Sequence, residues 1–160
     1  MVEETKKEEP PKVPRVAADA VIVRSKQDGS GHEIMLITRK KATFQGCLAF
    51  PGGHVDYDKD PQDACIRELK EECGVEGVNP QLLTVRGKKG RDPRYHMISI
   101  VFLVEVAADA VPVAMDDAAS ADWCDFATVM GTPDRFAFDH HSILVELTEK
   151  FPAYAAYKPK

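Results

Sequence analysis

Three glutamates in the middle of the chain, Glu68, Glu71 and Glu72, have the residue types and the spacing that metal chemistry requires. In a helix, which advances about 100° per residue, they share one side, so their carboxylates crowd together. Carboxylate oxygens at this density suit Mg²⁺ or Mn²⁺. The alternative is a solvated helix face, on which like charges at these spacings repel each other by roughly 0.2–0.5 kcal/mol per pair.

The residues around the glutamates predict a helix that begins at Pro61 and ends before Gly74. Asp60 is a good N-cap, proline suits the first helical position, and glycine suits the left-handed residue that follows a helix. Cys65 and Leu69 define the buried face of this helix by their spacing. The glutamates therefore border the core instead of lying opposite to it.

A glycine turn precedes the helix, where Gly52 and Gly53 follow Pro51. Because glycine has no side chain, the backbone of such a turn can approach a ligand closely. A lone pair of glycines is weak evidence for a site, but it gains weight beside an acidic helix. Gly52 and Gly53 are therefore candidate substrate-binding residues.

The turn and the helix together resemble the Nudix box, the signature of metal-dependent hydrolases that cleave a nucleoside diphosphate linked to another group. The positions in register are Gly53, Arg67, Glu68, Leu69, Glu71, Glu72, Gly74 and Val75. Lys59 stands where the family has its first glutamate. Either one of the flanking Asp58 and Asp60 takes that place, or this ligand is missing.

The resemblance implies an α/β fold, in the form of an α/β/α sandwich with a mixed β-sheet between helices. It implies that Glu68, Glu71 and Glu72 bind Mg²⁺ or Mn²⁺, and that Glu68, Glu71 and Arg67 act in catalysis. The general base would be a glutamate of the box or an acidic residue on a later loop. Asp116 and Asp117 in loop 107–121 are the candidates on that loop, with a turn and a strand-entry cap as the alternative.

Two arginines and one phenylalanine are further candidates for substrate binding. Arg91 and Arg94 flank a predicted turn, and the planar guanidinium group suits phosphate. The alternative is a surface salt bridge with Asp92. Phe44 could stack on an adenine, although a lone aromatic residue more often belongs to the core.

From Val16 to Phe126 the chain is similar to the ADP-ribose pyrophosphatase branch of the family, except that Leu48 stands where that branch usually has tryptophan. The leading hypothesis is hydrolysis of ADP-ribose to AMP and ribose 5-phosphate. Hydrolysis of oxidised nucleotides, dinucleoside polyphosphates or NADH is the alternative within the class. A non-catalytic nucleotide sensor is the alternative from another class, and Lys59 favours it.

Composition narrows the remaining options. A net charge of -5 argues against stable nucleic-acid binding, and the four scattered cysteines favour a reduced, cytoplasmic protein. No apolar run is long enough to span a membrane, and a homodimer is left open. We expect a disordered arm at 1–14, a Nudix hydrolase domain at 15–151 and a C-terminal tail at 152–160.

Apolar runs bounded by turn residues predict the strands that surround the central helix. A second amphipathic helix is predicted for 139–150. The predicted strands lie at 16–23, 33–38, 48–50, 82–87, 98–106 and 122–126.

Overall fold

The computed structural model describes residues 9–155. The strands within this range are β1 (Arg15–Val21), β2 (Val23–Ser25), β3 (His32–Arg39), β4 (Leu48–Ala49), β5 (Gly52–His54), β6 (Val78–Arg86), β7 (Met97–Glu105) and β8 (Ala118–Asp125). The helices are α1 (Pro61–Cys73), α2 (Phe126–Met130), α3 (His140–Lys150) and α4 (Pro152–Ala155), with a 3₁₀ turn at Pro133–Arg135.

The strands form two sheets. The first has the order β5-β1-β7-β6; β1 and β7 run parallel, and the other pairs are antiparallel. The second is antiparallel, with β3 between β2 and β4 and also paired with β8. The predicted mixed sheet is therefore present, and a second sheet that the sequence did not predict lies beside it.

Alternate side chains of the central strands point to opposite faces and build two cores. On β3, Met35 and Ile37 belong to the core that contains Leu69 of α1, whereas Ile34 and Leu36 belong to the core that contains Leu144 of α3. This alternation follows from the two-residue period of a strand. Helices thus cover both faces, which confirms the predicted α/β/α sandwich.

Helix α1 has the bounds and caps that the sequence predicts. The Asp60 side chain accepts a hydrogen bond from the Gln62 amide at 2.9 Å, Pro61 opens the helix, and Gly74 closes it at φ 66°. Cys65 and Leu69 are fully buried. Because these determinants are local, the sequence alone predicts the helix that carries the glutamates.

The predicted apolar strands are all present, although β6 begins earlier, at Val78, and β8 begins earlier, at Ala118. The two short strands β2 and β5 and the helix α2 were not predicted. Residues 1–8 of the expected arm and 156–160 of the expected tail lie outside the described residues, whereas 152–155 are helical. Within residues 9–155, every helix is too short or too polar to cross a membrane.

Candidate active site

The glycine turn is a short strand that brings the backbone against two carboxylates. In β5, Gly52 pairs with Asp19 and Gly53 with Ala18. A Cβ on Gly53 would overlap the carboxyl group of Glu68, and a Cβ on Gly52 would overlap Asp19 and the Ala18 carbonyl. Glycine is therefore required here by protein contacts, and both glycines also line the main cleft.

Arg67 fixes the orientation of the acidic side of α1. Its guanidinium group lies 3.1 Å from Glu68 Oε1 and donates to both carboxylate oxygens of Glu71, at 3.2 and 3.3 Å. It also donates to the His54 carbonyl at 3.2 Å, which ties α1 to β5. Glu71 lies outside the lining of the cleft, and its carboxylate is paired with Arg67.

Glu72 is the most constrained of the three glutamates. Its side chain lines the cleft although the residue is only 6% exposed, and within residues 9–155 its Oε2 atom has no hydrogen-bond partner. Burial, and then the negative charges of Glu68 and Asp19, raise the pKa of Glu72 to about 8. Burial also raises the pKa of Glu68, which shares the cleft. The raised pKa values of Glu68 and Glu72, and the unpartnered Oε2 atom of Glu72, favour the binding of a positive charge between the two carboxylates.

The donor set of Glu68 and Glu72 fits a divalent cation such as Mg²⁺ or Mn²⁺, because an added cation would satisfy Oε2 of Glu72 and relieve the repulsion between the carboxylates. Across residues 9–155, no three His, Cys, Asp or Glu side chains already stand together as a ligand group. Glu71, the remaining glutamate of α1, is paired with Arg67 and does not line the cleft. Glu71 would have to leave Arg67 to join the other two.

Positive side chains line the same cleft, which has a volume of about 340 Å³. Arg91 is held by Asp139 through two hydrogen bonds of 3.0 and 2.6 Å, and its side chain is 5% exposed. Arg94 is held by Asp92, with hydrogen bonds of 3.1 and 2.8 Å. Arg94 thus makes the salt bridge with Asp92 that the alternative interpretation expects. Arg91 pairs instead with Asp139, which is distant in sequence. Both arginines line the cleft.

The two loop aspartates differ in position. Asp117 lines the cleft and pairs with Lys41 at 2.9 Å, whereas Asp116 lies outside the lining, in a turn with φ 48°. The loop is attached to α1, because the amide of Met115 donates to the carbonyl of Glu72 at 2.9 Å. Asp117 immediately precedes β8, as the strand-entry interpretation expects.

Neither of the aspartates that flank Lys59 lines the cleft. Lys59 and Asp58 lie outside the lining of the cleft, and the Asp60 side chain caps α1. Asp56 lines the cleft instead and lies 3.5 Å from Arg67. Asp56, which the sequence analysis did not single out, therefore supplies a carboxylate to this part of the cleft.

Phe44 lies outside the lining of the cleft. Its ring packs edge-on against Phe138 at 4.9 Å, and it contacts the core that contains α1. Phe138 lines the cleft, as does Phe50, and Arg39 lies above the Phe138 ring at 4.9 Å. The φ of Phe138, 51°, is unusual for a bulky residue.

Sequence reasoning missed the cleft residues Asp19, Arg39, Phe138 and His140. Asp19 interrupts an apolar strand, which was an available signal, and it is buried, receives a hydrogen bond from Ser99 and has its pKa raised by burial to about 6. Arg39 and His140 gave no such signal. They reach the cleft only because strands and helices distant in sequence meet there.

Comparisons with known proteins agree with this geometry. A model of the NUDIX domain matches residues 13–147. The chain is 38% identical over 131 residues to an ADP-ribose pyrophosphatase of Methanocaldococcus jannaschii, which spans 82% of this chain and 71% of the relative.

Two solved structures share the fold. The NUDIX domain of Shewanella oneidensis NrtR, complexed with ADP ribose, matches with a TM-score of 0.76 and 23% identity, over 87% of this chain and 89% of that chain. A bifunctional NMN adenylyltransferase/ADP ribose pyrophosphatase of Francisella tularensis, complexed with AMP and a Mn ion, matches with a TM-score of 0.75 and 26% identity, over 89% of this chain and 43% of that chain. The chain thus spans less than half of the bifunctional protein. It belongs to the Nudix family and is a Nudix pyrophosphohydrolase.

Proposed function

We propose that this protein hydrolyses the diphosphate bond of ADP-ribose, in the presence of Mg²⁺ or Mn²⁺, to give AMP and ribose 5-phosphate. One observation carries the proposal: the cleft has the carboxylates of Glu68 and Glu72 together with the guanidinium groups of Arg91 and Arg94 in its lining. The carboxylates would bind a cation and the guanidinium groups a diphosphate, and the positive charge of the cation would partly neutralise the negative charge of the diphosphate. The identity of 38% to an ADP-ribose pyrophosphatase supports ADP-ribose as the substrate.

The residues of the chain divide the work of binding. Glu68 and Glu72 would hold the cation, with Glu71 joining them on release from Arg67. Arg91 and Arg94 would orient the diphosphate, because each guanidinium group is already fixed by a carboxylate. Arg39, Lys41 and Arg67 are further positive side chains in the lining of the cleft.

A divalent cation, when bound, polarises the diphosphate and lowers the pKa of water. The protein must then accept a proton within hydrogen-bond reach of the attacking water. Asp117 is a candidate because its carboxylate lines the cleft, and Glu68 is a candidate because burial raises its pKa toward the working range of a general base. Asp116 has no place in the cleft lining and is the weaker candidate for this role.

The experiment is a substrate panel with product identification by chromatography. ADP-ribose, an oxidised nucleotide, a dinucleoside polyphosphate and NADH are each incubated with Mg²⁺, with Mn²⁺ and with a chelator. We expect AMP and ribose 5-phosphate from ADP-ribose, no product with the chelator, and recovery when metal is restored. If another member of the panel is turned over faster, ADP-ribose is rejected as the preferred substrate, while the assignment as a hydrolase stands.

The sensor remains the competing function, and Lys59 is the observation that favours it. The same protein is therefore titrated with ADP-ribose in a calorimeter under the conditions of the panel. Tight binding together with no product from any panel member at high enzyme concentration would replace the hydrolase by the sensor.

A further inference from the structure

His140, the first residue of α3, lies in the wall of the cleft. The residue is 3% exposed, and its ring stacks on Phe50 with 4.5 Å between ring centroids and 15° between ring planes. It is one of the residues that line the cleft. The mechanism above gives it no role.

A backbone hydrogen bond fixes the position of the proton on this ring. The amide of Phe50 donates to Nδ1 of His140 at 3.1 Å, so Nδ1 acts as the acceptor and carries no proton. In a neutral imidazole the proton then lies on Nε2. Burial lowers the pKa of His140 to about 3; Asp139 opposes this effect, and Arg91 and Arg39 add to it. The ring is therefore neutral, in one tautomer, across the physiological pH range.

The Nε2–H group has no acceptor among residues 9–155. The hydrogen bonds of the His140 ring are limited to Nδ1. In the described part of the chain, the fully enclosed side-chain atoms without a partner are His32 Nδ1 and Glu72 Oε2. Nε2 of His140 is not one of these enclosed atoms, and the residue lines the cleft. An acceptor for this donor would come from the cleft, either from water or from a ligand oxygen that replaces the water.

The charges around His140 indicate which acceptor would bind. Arg91 and Arg39 line the same cleft and lie close enough to affect the imidazole electrostatically. Although the Asp139 carboxylate offsets part of the charge of Arg91, two guanidinium groups beside a neutral donor favour an anionic oxygen, and a phosphate oxygen is the acceptor that suits this combination. We propose that His140 is a substrate-binding residue that donates from Nε2–H to an oxygen of the diphosphate. This inference rests on the proposed function.

A purely structural role for His140 would use Nδ1 and the face of the ring, but not the Nε2–H group. Bracing the Phe50 amide, next to the Pro51-Gly52 turn, explains Nδ1 and the stacking on Phe50. It does not explain an Nε2–H group that opens to a cleft. The two roles can be separated because they use different nitrogen atoms.

Three variants separate them. In His140→Asn, the side-chain oxygen can still accept from Phe50, but no donor reaches the position of Nε2. In His140→Gln, the amide nitrogen lies nearer to that position. The control is His141→Gln, since His141 bonds through Nε2 to the Met130 carbonyl at 2.8 Å and does not line the cleft.

We expect His140→Asn to raise KM about ten- to a hundredfold with a smaller change in kcat, as the loss of a hydrogen bond to a charged group predicts. His140→Gln should recover part of that loss, and His141→Gln should match the wild type. The ratio of KM values should stay constant from pH 6 to 9, because the donor does not titrate there. A KM for His140→Asn equal to that of the wild type in a folded protein would overturn the proposal.

A measurement on the wild-type protein avoids variants that fail to fold. Nitrogen-15 NMR of the labelled imidazoles should show the Nε2–H tautomer for His140, and addition of AMP or inorganic phosphate should shift its Nε2 resonance. The opposite tautomer, or no shift at saturating AMP and phosphate, would overturn the proposal. If ADP-ribose is not turned over, the proposed function fails, while these two NMR results still decide whether His140 contacts phosphate.

Discussion

At the scale of single residues, Glu72 combines two conflicting properties. A carboxylate that is 6% exposed and has an oxygen without a partner destabilises the metal-free protein when it is charged. The same property makes it a strong ligand for a cation, since binding would remove the conflict. The residue is thus better suited to the metal-bound protein than to the metal-free one.

We predict that Glu72→Gln lowers turnover roughly a hundredfold or more, because the variant removes a charge that would hold the metal against the diphosphate. The measurement is the initial rate with the preferred substrate at saturating Mg²⁺. Circular dichroism checks that the fold persists. Rates near those of the wild type would reject the metal-binding role of Glu72.

Stability should depend on pH through the same carboxyl group. Its pKa is 4.5 ordinarily and about 8 in the folded protein, so the folded state binds the extra proton between these values. Its contribution to the free energy of unfolding is therefore complete below pH 4.5 and is lost as the pH rises through about 8. Glu72→Gln, which cannot ionise, should raise the Tm of the metal-free protein at pH 9 by at least about 2 °C.

Calorimetry of both proteins at pH 5 and pH 9, with a chelator present, tests this prediction. The difference in Tm between the variant and the wild type should be larger at pH 9 than at pH 5. Burial raises the pKa of Asp19 in both proteins, and the repulsion between Asp19 and Glu72 is part of the effect that the comparison measures. Equal differences at the two pH values would show that Glu72 does not titrate in this range.

At the scale of secondary-structure elements, the site depends on how closely β5 approaches α1. Gly53 lies against the Glu68 carboxyl group, and Gly52 lies against Asp19 and the backbone of β1. A flexible side chain can move away from an added methyl group, but a backbone carbonyl in a paired strand cannot do so cheaply. The two glycines should therefore respond differently to the same substitution.

We predict that Gly53→Ala displaces Glu68 and lowers turnover about tenfold or more, while the loss of stability stays on the order of 1–3 kcal/mol. Gly52→Ala should destabilise the fold more strongly. Gly131→Ala is the control, because a Cβ added there would lie 3.4 Å from the nearest atom, the carbonyl oxygen of Thr128. Gly131 does not line the cleft. Urea unfolding and initial rates measure both effects; equal behaviour of the two variants would contradict this description.

At the scale of the whole molecule, an ion pair joins the connection between β6 and β7 to the start of α3, beside the pairs that Arg86 of β6 makes with Asp139 and Glu146. Arg91 lies in the connection between β6 and β7, and Asp139 stands at the start of α3. Asp139 occupies the N-cap position, yet its carboxylate makes no capping hydrogen bond. It bonds Arg91 instead and thereby positions a cleft residue from outside the cleft.

We predict that Asp139→Asn raises KM about tenfold, because Arg91 loses its fixed orientation, and lowers the free energy of unfolding by about 1–3 kcal/mol. Although burial opposes it, Arg91 lowers the pKa of Asp139, so the stabilisation is present above the ordinary pKa of an aspartate and is lost in acid. The difference in stability between the wild type and the variant should therefore shrink as the pH falls below the ordinary aspartate pKa of 3.8. Denaturant unfolding at pH 7 and pH 3.5 makes the comparison.

Other properties of the whole molecule stay predictions. Sedimentation equilibrium will test whether the protein is a homodimer, and gel-shift titration will test whether it binds nucleic acid. The domain bounds 15–151 and the cytoplasmic location also await measurement.

The sequence by itself determined helix α1, its caps, its buried face and the acidic side that it carries, because hydrophobic periodicity and capping act over a few residues. It also determined the family, since the box residues are contiguous. Only the tertiary structure decided which acidic and basic residues share the cleft: Asp56 and Asp117 do, and Asp116 and Glu71 do not. It also decided that Arg91 pairs with Asp139 and that His140 faces the cleft. These facts depend on contacts between residues that are far apart in the sequence: Arg91 and Asp139 are separated by 48 positions, and Phe50 and His140 by 90. No local sequence pattern predicts such contacts.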